Sequence, residues 1–293
     1  KSRPLRLNEV PVVQELLQAV LLMLGLTFVF GAILAFASTR LRVEEDPNLT
    51  RVEELLGGSN CGACGEPGCR AFAESLVVGR KVPALCTVSS RDSIDAIAQL
   101  LGVAAGQVEK RVARLHCAGG RSAVKAVGHY DGVRTCQAAV QTQYAGRSCV
   151  YGCVGFGDCA HACGFSAIRM NEEGLPVVDP ERCTACGDCV TACPAKLFSL
   201  APVSQRVIVQ CSSPLTGEAA RSSCAVACDA CGRCVSDAPA GVVQLREGLP
   251  RIDTQIQAPE RCTYRCPTGA IQWVEGGQHS YDVPLSALRR RYV

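Results

Sequence analysis

Cys183, Cys186, Cys189, Cys193 and Pro194 stand as C-x2-C-x2-C-x3-C-P within the run CTACGDCVTACP. Thiolates are soft ligands, and this spacing holds [4Fe–4S] cubes. Three closely spaced cysteines take three irons of one cube, and the turn before proline carries the fourth to a neighbouring cube. The string therefore predicts two clusters and one-electron chemistry. Zinc sites favour two separated C-x2-C pairs instead.

A second group lies upstream. Cys61, Cys64, Cys69 and Cys86 follow C-x2-C-x4-C-x16-C, beginning in SNCGACGEPGC. Gly62, Gly65 and Gly68 let the backbone bend tightly and aim amides at cluster sulfurs. Four thiolates in this order predict one further [4Fe–4S] cluster. A phosphate-binding glycine loop would run on into G-K-[ST], and none follows. Flanking periodicity predicts helices over 71–78 and 93–101, the second with Ile94, Ile97, Leu100 and Leu101 on one face and Gly102 as its stop.

Several of the remaining cysteines fall into a repeat. A shift of 75 residues lays Cys136 on Cys211, Cys149 on Cys224, Cys153 on Cys228 and Cys159 on Cys234. Self-similarity at a fixed period means two copies of one unit, each expected to be a small ferredoxin-like βαββαβ domain rich in loops. In the first copy Phe156 occupies a ligand place, and Cys149 is the available replacement. Its clusters are assigned to Cys149, Cys153, Cys159 and Cys193, and to Cys163, Cys183, Cys186 and Cys189. The second copy keeps Cys228, Cys231 and Cys234, closed by Cys266. Its partner cube would need Ala238, Ile256, Pro259 and Cys262, one thiolate of four, and is expected to be absent. Four clusters leave Cys117, Cys136, Cys211, Cys224 and Cys262 over. Packing is the default role of a small buried thiol, while the equivalent positions of Cys136 and Cys211 keep a shared structural or metal role open.

What must position these loops follows from composition. The chain has 293 residues and 21 cysteines, too long for a disulfide scaffold and at metal-ligand spacing, so a reducing compartment is expected. Aromatic residues are only 5%, so clusters replace part of a conventional core. Lys and Arg exceed Asp and Glu by three, too few for a nucleic-acid field. Leu16 to Ala37 carries no formal charge. As a helix it would be roughly 33 Å long, enough to cross a bilayer core. Ala35-Phe36-Ala37 resembles a signal-peptide cleavage site, but the apolar run is longer than such a segment needs, so a permanent single-span anchor is expected. Lys1, Arg3 and Arg6 on one side, Arg40 and Arg42 on the other, leave orientation open by charge. Oxygen-sensitive clusters put the soluble domains on the cytoplasmic side. An acidic linker (Glu44, Glu45, Asp46, Pro47) follows the span, and Arg289 to Arg291 read as a solvated tail that could touch anionic lipid or an acidic ferredoxin.

No hydride-transfer site is legible. GFGDCA at Gly155 to Ala160 fits a dinucleotide string but lies inside a cysteine motif, and His116, His129, His161 and His279 form no catalytic set.

The order of parts resembles the B subunit of the Rnf complex, a membrane-bound ion-translocating ferredoxin:NAD+ oxidoreductase. SNCGACGEPGC with Cys86 carries the resemblance most specifically. SCVYGCVGFGDC followed by CTACGDCVTACP resembles the longer versions of that protein. The class is α+β: a transmembrane anchor (1–42), a four-cysteine domain (43–115), a two-cluster unit (116–205) and a degenerate one-cluster unit (206–293). The resemblance implies one component of a translocase in the bacterial inner membrane, taking electrons from soluble ferredoxin. It would pass them through four [4Fe–4S] clusters to other membrane subunits, where FMN and NAD would sit. The cluster near the anchor would serve electron exit and the ferredoxin-like copies uptake. An electron-transfer subunit of a membrane hydrogenase or formate dehydrogenase, and a non-redox metal scaffold or redox sensor, are the alternatives.

Overall fold

The computed structural model describes residues 10–40, 46–253 and 256–279, in two compact units divided at residue 50. The basic flank Lys1, Arg3, Arg6 and Arg42, the acids Glu44 and Glu45 and the tail Arg289 to Arg291 lie outside the described residues.

The first unit is built on α1 (Val10–Arg40). From Leu16 to Phe36 its large apolar side chains are exposed on every face, the pattern of a helix solvated by lipid. Its stretch Gln14–Arg40 is long and apolar enough to cross a membrane. The hydroxyls of Thr27, Ser38 and Thr39 donate back to the carbonyls of Met23, Ala35 and Phe36, so none needs water. Helix α2 (Pro47–Leu55) begins on proline, with Asp46 accepting from the Asn48 amide at 2.8 Å.

The second unit begins within α2 and continues with α3 (Cys69–Val77) and α4 (Arg91–Leu101), which bury Phe72, Leu76, Ile94 and Ile97. Helix α4 starts two residues earlier than its periodicity suggests because Ser90 caps it, accepting from the Ser93 amide at 3.1 Å. Gly102 ends it at φ 66°. Ser90→Ala should cost about 1 kcal/mol, measured as faster amide exchange over residues 91–101.

Two copies of one plan follow. The first comprises β1 (Arg111–Leu115), α5 (Cys136–Gln141), α6 (Asp158–His161), β2 (Ile168–Met170), β3 (Pro176–Val178), α7 (Asp188–Ala192) and β4 (Phe198–Pro202). Strands β1 and β4 pair antiparallel, Leu115 opposite Phe198, and β2–β3 form a hairpin with Ile168 opposite Val178. Residues 111–115, which the expected boundary assigns to the four-cysteine domain, form a strand paired with β4 of this unit. The second copy repeats the plan with β5 (Val207–Val209), α8 (Gly217–Ser223), α9 (Arg233–Asp237), β6 (Val243–Arg246), β7 (Leu249–Ile252) and β8 (Ile271–Trp273). Here β5 pairs with β8, and β6 with β7.

Thiols take part in three cores among the described residues. Leu115, Ile168, Leu197 and Phe198 pack with Cys159 and Cys189 in the first copy; Val207, Val243 and Ile271 pack with Cys262 in the second. A third core, of Ala118, Val124, Ala220 and Val226 with Cys149 and Cys224, joins the copies. Along this seam the Ala118 amide donates to Gln210 O at 3.0 Å and the Ala225 amide to Ala123 O at 2.9 Å. His116 completes it, 2.8 Å from Val209 O through Nδ1 and 2.7 Å from Ser199 Oγ through Nε2. A carbonyl only accepts, so Nδ1 carries the proton, and burial holds the imidazole below its usual pKa.

Candidate metal centres

The four-cysteine loop is shaped by side chains around it. Gly65 donates to Gly62 O at 2.8 Å, both glycines at positive φ. Asn60 Oδ1 accepts from the Cys69 amide at 2.8 Å, and Lys81 Nζ reaches Cys64 O at 2.7 Å and Glu66 at 3.0 Å. Cys86 follows a short turn over Pro83–Leu85 and stands close enough to Cys64 to influence its ionisation. Burial pushes the Cys64 thiol up, and the Glu66 carboxyl is held down by its hydrogen bond from Lys81.

Cys163, Cys183, Cys186 and Cys189 line one cavity with Phe165, Ile168 and Leu200. The loop between Cys183 and Cys186 turns through Ala185 at φ 58°, a conformation that costs a Cβ-bearing residue free energy and that packing must enforce. Cys228, Cys231, Cys234 and Cys266 line the corresponding cavity of the second copy, with Ala230 at φ 60° in the same role. Of the 21 cysteines only Cys231 is exposed.

The remaining cavity of the first copy departs from expectation. Cys153, Cys159 and Cys193 line it together with Cys136, and Cys149 is elsewhere. Helix α5 brings Cys136 in: Thr135 caps it, and Asp158 Oδ2 accepts from the Gln137 amide at 3.2 Å, tying α5 to α6 beside Cys159. Phe156 turns aside against Tyr130, ring centroids 5.6 Å apart. Cys149 lines a separate cavity with Cys117, Cys211 and Cys224. Cys262 is fully buried among aliphatic side chains, while Ile256 is exposed.

These cavities suit cubes. Amides point at sulfur: Ala167 N donates to Cys163 Sγ at 3.3 Å and Leu197 N to Cys193 Sγ at 3.5 Å, each four residues beyond its thiol. Such bonds stabilise thiolate ligands and raise cluster potential. Among the described residues no three Cys, His, Asp or Glu side chains converge as around a single ion. Thiolates around a four-iron cube stand further apart than ligands of one metal. Burial pushes Cys159, Cys189 and Cys228 up to about 12 and Cys234 to about 11. Iron bound by these thiols would displace their protons.

A wider cavity of about 460 Å³ is lined by Arg114, His116, Lys196 and Arg251, and none of its lining residues is acidic. Arg114 is buried, donating through Nη1 to Gly276 O at 2.8 Å while its Nε has no partner. Lys196 and Arg251 are exposed at the rim. Pro250 lines both this cavity and the one holding Cys231.

Comparison with known proteins agrees with this chemistry. The family described as "Putative Fe-S cluster" matches residues 56–88, and the 4Fe-4S binding domain matches residues 175–198. The chain is 38% identical over 267 residues to the B subunit of the Na+-translocating ferredoxin:NAD+ oxidoreductase complex of Acetobacterium woodii, covering 88% of this chain and 80% of that one. It is 36% identical to the B subunit of the proton-translocating ferredoxin:NAD+ oxidoreductase complex of Clostridium ljungdahlii (85% and 89% covered). It is 35% identical to the B subunit of the ion-translocating oxidoreductase complex of Methanosarcina acetivorans (88% and 98%). With such identity over most of every chain compared, this protein belongs to the family of B subunits of the ion-translocating ferredoxin:NAD+ oxidoreductase complexes.

Proposed function

We propose that the chain takes single electrons from reduced soluble ferredoxin and relays them to the membrane subunits of an ion-translocating ferredoxin:NAD+ oxidoreductase. The observation that carries this is the run of thiol groups, the Cys61 loop and the four-thiol cavities of the two copies, with short protein contacts between neighbours. Thr87, next to Cys86, donates to Thr184 O, next to Cys183, at 2.6 Å. Cys159 and Cys189 are electrostatic neighbours across the next junction.

Bound [4Fe–4S] cubes supply one-electron carriers, with no substrate bond broken. The residues of this chain hold and tune them. Cys61, Cys64, Cys69 and Cys86 hold the cluster nearest in sequence to the anchor, which serves exit. Cys163, Cys183, Cys186 and Cys189 hold the next, and Cys136, Cys153, Cys159 and Cys193 the third. Cys228, Cys231, Cys234 and Cys266 hold the cluster of the second copy, which serves uptake. The cationic cavity beside Pro250 suits an acidic carrier docking there. Helix α1 anchors the chain in the inner membrane with its clusters on the cytoplasmic side, and FMN and NAD sit on partner subunits. The relatives' names favour this reading over a component of a hydrogenase or formate dehydrogenase.

Anaerobic mixing with chemically reduced ferredoxin tests it. The visible absorbance of the oxidised clusters should bleach, and low-temperature electron paramagnetic resonance should show reduced [4Fe–4S] signals. No electron uptake from ferredoxin, with clusters present, would reject the assignment.

A further inference from the structure

We propose that Cys117, Cys149, Cys211 and Cys224 hold a fifth [4Fe–4S] cluster on the seam between the two copies, bridging the clusters on either side. The inference rests on the iron–sulfur reading above and extends it to thiols that reading leaves unused.

The first support is the cavity itself, lined by these four thiols with Gly119, Gly152, Val124 and Val226. Cys117, Cys149 and Cys224 are buried, and none of the four is in a disulfide. Buried thiols used only for packing would fill their space with neighbours. Here the space is kept open by glycine. A Cβ on Gly119 would come within 3.2 Å of Cys224 Sγ and 3.6 Å of Cys117 Sγ. One on Gly152 would lie 3.5 Å from both Cys117 Sγ and Cys149 Sγ. Neither glycine has a positive φ, so room at the sulfurs, rather than backbone conformation, is what the missing side chain provides.

The second support is symmetry. Each copy contributes the same two positions: a cysteine two residues beyond its first strand (Cys117 after β1, Cys211 after β5), and one four residues before its cluster loop (Cys149 before Cys153, Cys224 before Cys228). The amide pattern repeats as well. Gly119 N and Cys153 N both donate to Cys117 Sγ at 3.3 Å. Their counterparts, the amides of Ser213 and Cys228, lie near enough to the Cys211 sulfur to favour its thiolate form. Two amides on one sulfur exceed the single amide at Cys163 or Cys193, and they favour a ligand thiolate there.

The third support is position. The amide of Cys153, which lines the first copy's cavity, donates to Cys117 Sγ, and the amide of Cys228, which lines the second's, lies close enough to Cys211 to influence its ionisation. A cube between them would accept one electron from a reduced neighbouring cluster and pass one on, with no proton or bond transferred. Its cavity is thiol-lined and lies on the seam between the second copy's cavity and those of the first.

Iron and sulfide counted on the full chain in detergent, purified anaerobically and fully reconstituted, decide the matter. Five cubes require about 20 irons per chain and four require about 16. A value near the higher figure supports the fifth site, and a plateau at the lower figure overturns it while leaving the four-cluster wire standing. Absence of reduced-cluster resonance altogether would instead reject the iron–sulfur reading beneath it. Cys117→Ala and Cys224→Ala should each lose about four irons, one cube, whereas Cys262→Ala should lose none. Unchanged iron in both of the first two variants would overturn the site. Should those variants fail to accumulate, the count on the unaltered chain still decides.

Discussion

Chelating iron anaerobically from the full-length protein in detergent should unfold the soluble unit and leave α1 helical. The described sheets are all two-stranded, with strands of three to five residues, and an isolated two-stranded sheet is marginal in water. The helices from α3 to α9 run from four to eleven residues, below the length at which helices stand alone. Thiols fill part of three of their cores. A domain's net stability is only about 5–15 kcal/mol, and structural metal binding contributes about 10–16 kcal/mol in small zinc domains. Losing several four-iron centres therefore exceeds what the remaining contacts supply. Charge repulsion among the emptied sites is not the cause. Burial pushes Cys117 up to about 11 and Cys224 to about 12, so both are neutral thiols at pH 7 without metal. The same raised values set the sign of the pH effect: protons compete with iron, and acid favours release. Far-ultraviolet circular dichroism should retain the α1 contribution and lose the rest. A cooperative, native-like thermal transition in the iron-free protein would refute the argument.

Iron dependence also explains which parts of the site are legible in the sequence. Short ligand strings are local: Cys61 to Cys69, Cys183 to Cys193 and Cys228 to Cys234 are each bent by turns that their own glycines and small residues permit. The thiol groupings missed by spacing are those brought together over long separations. Cys117 and Cys149 are 32 residues apart, but their counterparts Cys211 and Cys224 only 13. The extra chain in the first copy carries α5, and α5 carries Cys136. A gap-free shift of 75 residues necessarily lays Cys136 on Cys211 and hides the true partner, Cys117. It also hides the compensation. Phe156 stands where a ligand is expected, and the inserted helix delivers a thiol to that cavity from another direction. The signals were present in Thr135, a good helix cap immediately before Cys136, and in Asp158, which ties the helix down. Neither is interpretable without knowing that α5 and α6 meet.

The largest functional effect is expected at the opposite end of the wire. Cys231 is the one exposed cysteine and therefore marks the cavity that a soluble carrier can approach most closely. Cys231→Ala takes a ligand from that cluster and should slow electron uptake from reduced ferredoxin by about tenfold or more, at least what losing an outer-shell partner costs a metal site. Dithionite, a small reductant without a docking requirement, should still reduce the remaining clusters. The neighbouring cations give a separable test. Lys196 and Arg251 form the exposed rim over buried Arg114, and the cavity they edge shares Pro250 with the Cys231 site. Charge at a rim governs encounter more than the later step. Arg251→Glu should raise KM for ferredoxin, leave kcat nearly unchanged, and flatten the salt dependence of the rate because the screened attraction is gone. Ferredoxin oxidation that is normal in both variants would move uptake to another centre. The Cys61 loop, near the anchor in sequence, would then face ferredoxin rather than the membrane partners, and the direction of the wire would reverse.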